Sequence, residues 1–79
     1  MKVPRDLSGR ELVQILVKSL GYKIMHQRGS HTVLETEDPS HHRIAIPDHK
    51  ALRIGTLNAI TKAVAQHKGI SKEKILSLL

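Results

Sequence analysis

Apolar spacing along the chain switches from helical to alternating and back again. Leu12, Val13, Leu16, Val17 and Leu20 recur every three or four residues, which places them on one stripe of a helix. Ser8-Gly9-Arg10-Glu11 reads as a capping box, with Ser8 as the N-cap and Glu11 reaching back to it. Leu7 and Leu12 occupy the two positions of a hydrophobic staple. Gly21 supplies the stop, so a first helix is expected over residues 9–20.

A period of two then takes over. Tyr22, Ile24 and His26 alternate with Lys23, Met25 and Gln27, which predicts a strand over residues 22–27. Arg28-Gly29-Ser30 reads as a turn, and residues 31–36, rich in β-branched side chains, as a second strand. Glu37-Asp38-Pro39-Ser40 is a reverse-turn signal. Ile44 and Ile46 share one side of a third strand over residues 42–46, which Pro47 ends. Residues 48–54 show no period. Helical spacing returns from Thr56 to His67 through Leu57, Ile60, Ala63, Val64 and His67, and Gly69 closes that helix. Ser71 caps a short last helix that carries Ile75, Leu76 and Leu79. The order α-β-β-β-α-α predicts an α+β fold forming one domain over residues 1–79. Its three-stranded antiparallel sheet carries the helices on one face and leaves the other open.

Composition narrows the function. Ten Leu, eight Ile and five Val supply the core, and Tyr22 is the only aromatic residue among Phe, Tyr and Trp. A platform that stacks bases on aromatic rings is therefore excluded. The absence of Cys excludes disulfides and cysteine zinc sites. No apolar run approaches the ~20 residues of a membrane helix, and Met1 to Ser8 lacks the apolar region of a signal peptide. A cytoplasmic protein with no membrane partner is the expectation. Thirteen Lys and Arg against seven Asp and Glu give a net charge of +6, which calls for an anionic partner, most often nucleic acid.

Three short motifs sharpen that expectation. Gly29-Ser30-His31 stands at the mouth of the second strand, Pro47-Asp48-His49 follows the third, and Gly55-Thr56-Leu57 opens the second helix. In this order and on this skeleton they resemble the HicA toxin family, over nearly the whole chain from Ser8 to Leu79. The resemblance implies a double-stranded-RNA-binding-domain-like fold and the toxin of a type II toxin–antitoxin system. It further implies an endoribonuclease acting on messenger RNA, with a HicB-like antitoxin as partner. His31 falls on the family's catalytic position.

The chemistry of the residues supports the same candidate. RNA carries its own nucleophile, the 2′-hydroxyl beside the scissile phosphate. An enzyme need only move protons, hold the geometry and neutralise developing charge, which requires neither a metal nor another cofactor. Histidine, with an ordinary pKa near ~6.5, suits that task. Gly29 permits close backbone approach and Ser30 offers a hydroxyl. Arg28 beside the turn and Arg43 on the third strand are the leading phosphate contacts, with Lys50 and Lys23 in addition and Lys2 and Arg5 as a basic arm. His49 is a binding group, a second acid–base group or a side chain that orders its loop, and Gly55-Thr56 offers helix N–H groups to a phosphate or only caps its helix. His41 and His42 are adjacent on a strand and point to opposite faces, which argues against their sharing a metal ion.

Strand parity leaves one question open. His31 shares its side with Val33 and Glu35, opposite Thr32, Leu34 and Thr36, so either side can be the core side. Glu35 favours the open face for His31. The rival function, from a different class, is a double-stranded-RNA or DNA binding module without catalysis.

Overall fold

The computed structural model describes residues 6–79, so the proposed arm residues Lys2 and Arg5 lie outside the described part. Helix α1 (Gly9–Leu20) begins as its sequence dictates. The Ser8 hydroxyl accepts the Glu11 N–H at 3.0 Å, and the Glu11 carboxylate accepts the Ser8 N–H at 3.0 Å. These two bonds satisfy donors that the helix itself leaves unpaired. Leu7 and Leu12 are both buried in the core, and Gly21 closes the helix with a φ of 73°.

Strands β1 (Lys23–Arg28), β2 (His31–Thr36) and β3 (His42–Pro47) form one antiparallel sheet in the order β1-β2-β3. Helices α2 (Ile54–Lys68) and α3 (Lys72–Leu76) follow. The result is an α+β domain with the α-β-β-β-α order of a double-stranded-RNA-binding-domain-like fold. Leu34 and Ile46 are fully buried and join Leu12, Leu16, Leu57, Val64 and Ile75 in one core. Burying a single such aliphatic side chain contributes about 1.5–3 kcal/mol.

That packing answers the parity question. Leu34 faces the helices, and its β3 neighbours on the same side are Ile44 opposite it and Ile46 opposite Thr32. His31, Val33 and Glu35 therefore occupy the open face.

The expected alternation of β1 is corrected. Ile24 pairs with Leu34 but His26 pairs with Val33, so Met25 is an extra, unpaired residue in a β-bulge. The bulge separates Ile24 from His26. Ile24 keeps the helix side while His26 joins Arg28 on the open face. Helix α2 also starts earlier than expected, at Ile54. Its N-cap is Arg53, which makes no side-chain capping bond, so the side-chain signal used to locate helix starts is missing there.

The segment after β3 is tied to α1. The Gly9 N–H donates to the His49 carbonyl at 2.9 Å, and the Leu52 N–H to the Leu7 carbonyl at 2.7 Å. Gly9 is required for this approach, because a Cβ there would lie 1.8 Å from the Pro47 carbonyl oxygen.

Candidate active site

The β1–β2 turn is the tightest a hairpin allows. Arg28 and His31 are directly paired, and Gly29 and Ser30 alone connect them. Gly29 has a φ of 59°, matching a turn with glycine at its first central position, where a side chain would be strained. A Cβ there would meet nothing within 4 Å, so backbone conformation, not crowding, selects the glycine. The Ser30 carbonyl accepts the Asp48 N–H at 2.7 Å, which fastens the turn to the segment after β3. The Ser30 hydroxyl lies 3.5 Å from His31 Nδ1.

His31 is flanked by Arg28 on one side and Pro47 on the other. Arg28, His31 and Arg43 line a depression of about 490 Å³ whose remaining walls are Val33, Ile44 and Ala45. Two guanidinium groups and an imidazole thus share one recess on the face that the helices leave uncovered. Arg43 pairs with Glu35 across the β2–β3 ladder, its Nε 3.8 Å from the carboxylate. Its other end reaches over β2 and donates to His26 Nε2 at 3.4 Å. Val33 lies beneath this crossing and is only 4% exposed, although it faces away from the helices.

The sequence-predicted site residues fall into two groups. Arg28, Gly29, Ser30 and His31 sit at the hairpin end of the sheet, and Arg43, opposite Glu35 further along the ladder, lines the same open-face recess as Arg28 and His31. His49 and Lys50 are both exposed and line a separate recess of about 310 Å³ with Ser8, Arg10 and Asp48. The bond from the Asp48 N–H to the Ser30 carbonyl links the segment carrying His49 and Lys50 to the hairpin. Gly55 and Thr56 lie within the first turn of α2, after Arg53. The bulge moves His26 off the side of Ile24 and sets it, exposed, beside Arg43. No spacing in the sequence marks that bulge.

The adjacent His41 and His42 point in opposite directions, as strand alternation expects. His42 turns inward, where its ring stacks on His67 at 4.4 Å and its Nδ1 meets the Tyr22 hydroxyl at 2.8 Å. His41 points outward to Glu37 at 2.8 Å and Glu35 at 3.8 Å. Ligand-type atoms of Glu35, Glu37 and His41 lie within 4.8 Å of one another, so these are the described residues that offer a cation a set of donors. The hydrogen bond to Glu37, and then the charge of Glu37, raise the His41 pKa.

Fold and recess together define a basic α+β domain with a histidine exposed on its free sheet face. The family model described as HicA toxin of bacterial toxin-antitoxin matches residues 9–66, which cover every element from α1 through most of α2. The chain belongs to the HicA toxin family. It is accordingly the toxin of a toxin–antitoxin system with a cognate antitoxin, in a family whose members are in general messenger-RNA interferases. No curated protein and no solved structure matches the chain significantly. Among the described residues no helix is long and apolar enough to cross a membrane.

Proposed function

We propose that this chain is an endoribonuclease that cleaves messenger RNA in the cytoplasm, with His31 as the general acid or base at the scissile phosphate. One observation carries this reading: His31 shares a single open-face recess with two arginines, Arg28 and Arg43. Arginine presents its donors in a planar fork that matches phosphate oxygens, and it stays charged at any physiological pH. Two of them hold the substrate phosphate and neutralise charge as it develops. The 2′-hydroxyl then attacks the adjacent phosphorus, giving a cyclic phosphate and a free 5′-hydroxyl. Gly29 lets the backbone come close, Ser30 orients the imidazole, and His49 and Lys50 extend the basic track beside the hairpin. The antitoxin, of the HicB type, acts by covering the recess.

The test is His31→Ala. The variant should lose growth arrest on induced expression and cleavage of a labelled transcript in the presence of chelator, with an unchanged melting curve. A His31→Ala protein that is well expressed and still toxic refutes the assignment. Wild-type protein that binds the transcript without cutting it is a binding module instead, its affinity falling with salt.

A further inference from the structure

His31 alone performs one proton transfer, whereas cleavage by the 2′-hydroxyl needs two. The hydroxyl must lose a proton and the departing 5′-oxygen must gain one. The geometry points to His26 as the second group, the base of the pair, an assignment that rests on the ribonuclease reading above.

The placement follows from register. His31 pairs with Arg28, and Val33 with His26, so His26 and His31 are diagonal neighbours on one face of the β1–β2 ladder. Diagonal positions lie ~7–8 Å apart. Side chains on such positions are within reach of one another, so two imidazoles there can contact one phosphate group from either side. His26 is exposed and lies beside Arg43, a wall of the recess that contains His31. The placement depends on the Met25 bulge, without which His26 would share the side of Ile24.

The division of labour follows from Arg43. A guanidinium has donors and no acceptor, so His26 Nε2 must accept its hydrogen bond through a lone pair. That nitrogen carries no proton and is set to receive one. When RNA enters, the Arg43 donors exchange the imidazole for phosphate oxygens and leave Nε2 open to the 2′-hydroxyl. The 2′-oxygen forms its bond to phosphorus as its proton passes to His26. The bond from phosphorus to the 5′-oxygen breaks as a protonated His31 delivers its proton there. One histidine gains a proton and the other loses one, so no other reactant is consumed.

The experiment compares ordinary RNA with RNA carrying one 5′-bridging sulfur at the cleavage site. A thiol ionises near pH ~8.5, far more readily than an alcohol, so a sulfur leaving group departs without an acid. His26→Ala and His26→Gln should each slow cleavage of ordinary RNA by ~10²–10⁴. The Gln variant still offers an oxygen to Arg43 and controls for positioning of that side chain. His31→Ala should recover most of its lost rate on the sulfur substrate, while His26→Gln should stay slow. A folded His26→Gln protein within about threefold of wild type overturns the assignment of His26. Rescue of His26→Gln by sulfur, or of neither variant, overturns the division into base and acid. Failure of the wild type on both substrates refutes the underlying ribonuclease reading instead.

Discussion

Arg43 on β3 donates a hydrogen bond to His26 on β1, 3.4 Å away, across the intervening strand β2. An arginine that spans three strands is held at both ends, because Glu35 sits 3.8 Å from its Nε. This restraint does two things at once. It carries the side chain across the strand that holds the buried Val33, and it aims a cation at the recess beside His31.

Substituting Arg43 separates those two roles. Exposed ion pairs contribute about 0–1 kcal/mol, so Arg43→Ala should shift the melting temperature little. Binding to single-stranded RNA should weaken, and the slope of log affinity against log salt should flatten by ~0.7 for the lost phosphate contact. Arg43→Lys should restore the slope but not the rate, since a point charge lacks the planar fork that holds Glu35 at one end and a phosphate at the other. Salt titrations of the three proteins on one oligonucleotide give the comparison.

Gly9 carries a prediction of stability that has consequences for the site. A methyl group at Gly9 cannot coexist with the Pro47 carbonyl as placed, so Gly9→Ala must push the start of α1 away from the end of β3. The bond from the Gly9 N–H to His49 is lost with that movement. Overpacking of this kind costs about 1–3 kcal/mol, a large share of the stability of so small a domain. Because the Asp48 N–H also holds the Ser30 carbonyl, the displacement should loosen the hairpin that carries His31. Urea unfolding and transcript cleavage should both decline. A stable Gly9→Ala protein with reduced cleavage would show that the two effects are separable.

The elements that were legible in the sequence are those whose cause is local. Ser8 and Glu11 cap α1 within four residues of one another, and Gly29 makes its turn by its own φ. His31 could be assigned to the open face once Leu34 was known to be core, because the period of a strand is two. The Met25 bulge broke that rule on β1, and with it the place of His26. A bulge depends on how two strands twist against each other, and neither Ile24 nor Met25 announces it. The start of α2 was likewise hidden, since Arg53 gives no capping signal. His42 was unreadable for another reason: its partners Tyr22 and His67 come from distant segments.

That part-buried cluster predicts how stability depends on pH. The Tyr22 phenol, pushed up to about 12 by burial, keeps its proton and shares a hydrogen bond with His42 Nδ1. His67 donates from Nε2 to the Ser40 carbonyl at 2.9 Å and stacks on the His42 ring. Desolvation first, then the neighbouring His67, His41 and Lys68, hold the His42 pKa below 6.5. The unfolded chain therefore binds the proton more readily, and stability should fall as the pH drops below 6.5 toward the folded value. His41, raised by Glu37, works in the opposite sense, and its contribution is lost as the pH rises above 6.5. Urea midpoints between pH 5 and pH 7 should decline on the acid side in the wild type. In His42→Gln, which keeps an acceptor for Tyr22 but cannot titrate, that decline should shrink. An unchanged profile would mean the loss comes from other groups.

The antitoxin should meet the recess through charge. The chain carries a net charge of +6, and Arg28 and Arg43 concentrate part of it around His31. An acidic inhibitor seated there satisfies guanidinium groups that RNA would otherwise occupy, and opposite charge accelerates its approach. Association of toxin and antitoxin should therefore slow markedly between 50 mM and 500 mM salt while dissociation changes less, because screening acts on the encounter of separated charges. Hydrogen exchange at the 28–31 turn, where Gly29 and Ser30 are exposed in the free chain, should slow on complex formation. Arg28→Glu should depress the association rate more than it raises dissociation, and should cost RNA binding alongside. If the turn exchanges equally fast in the complex, the antitoxin acts from another surface and inhibition is not a matter of covering His31.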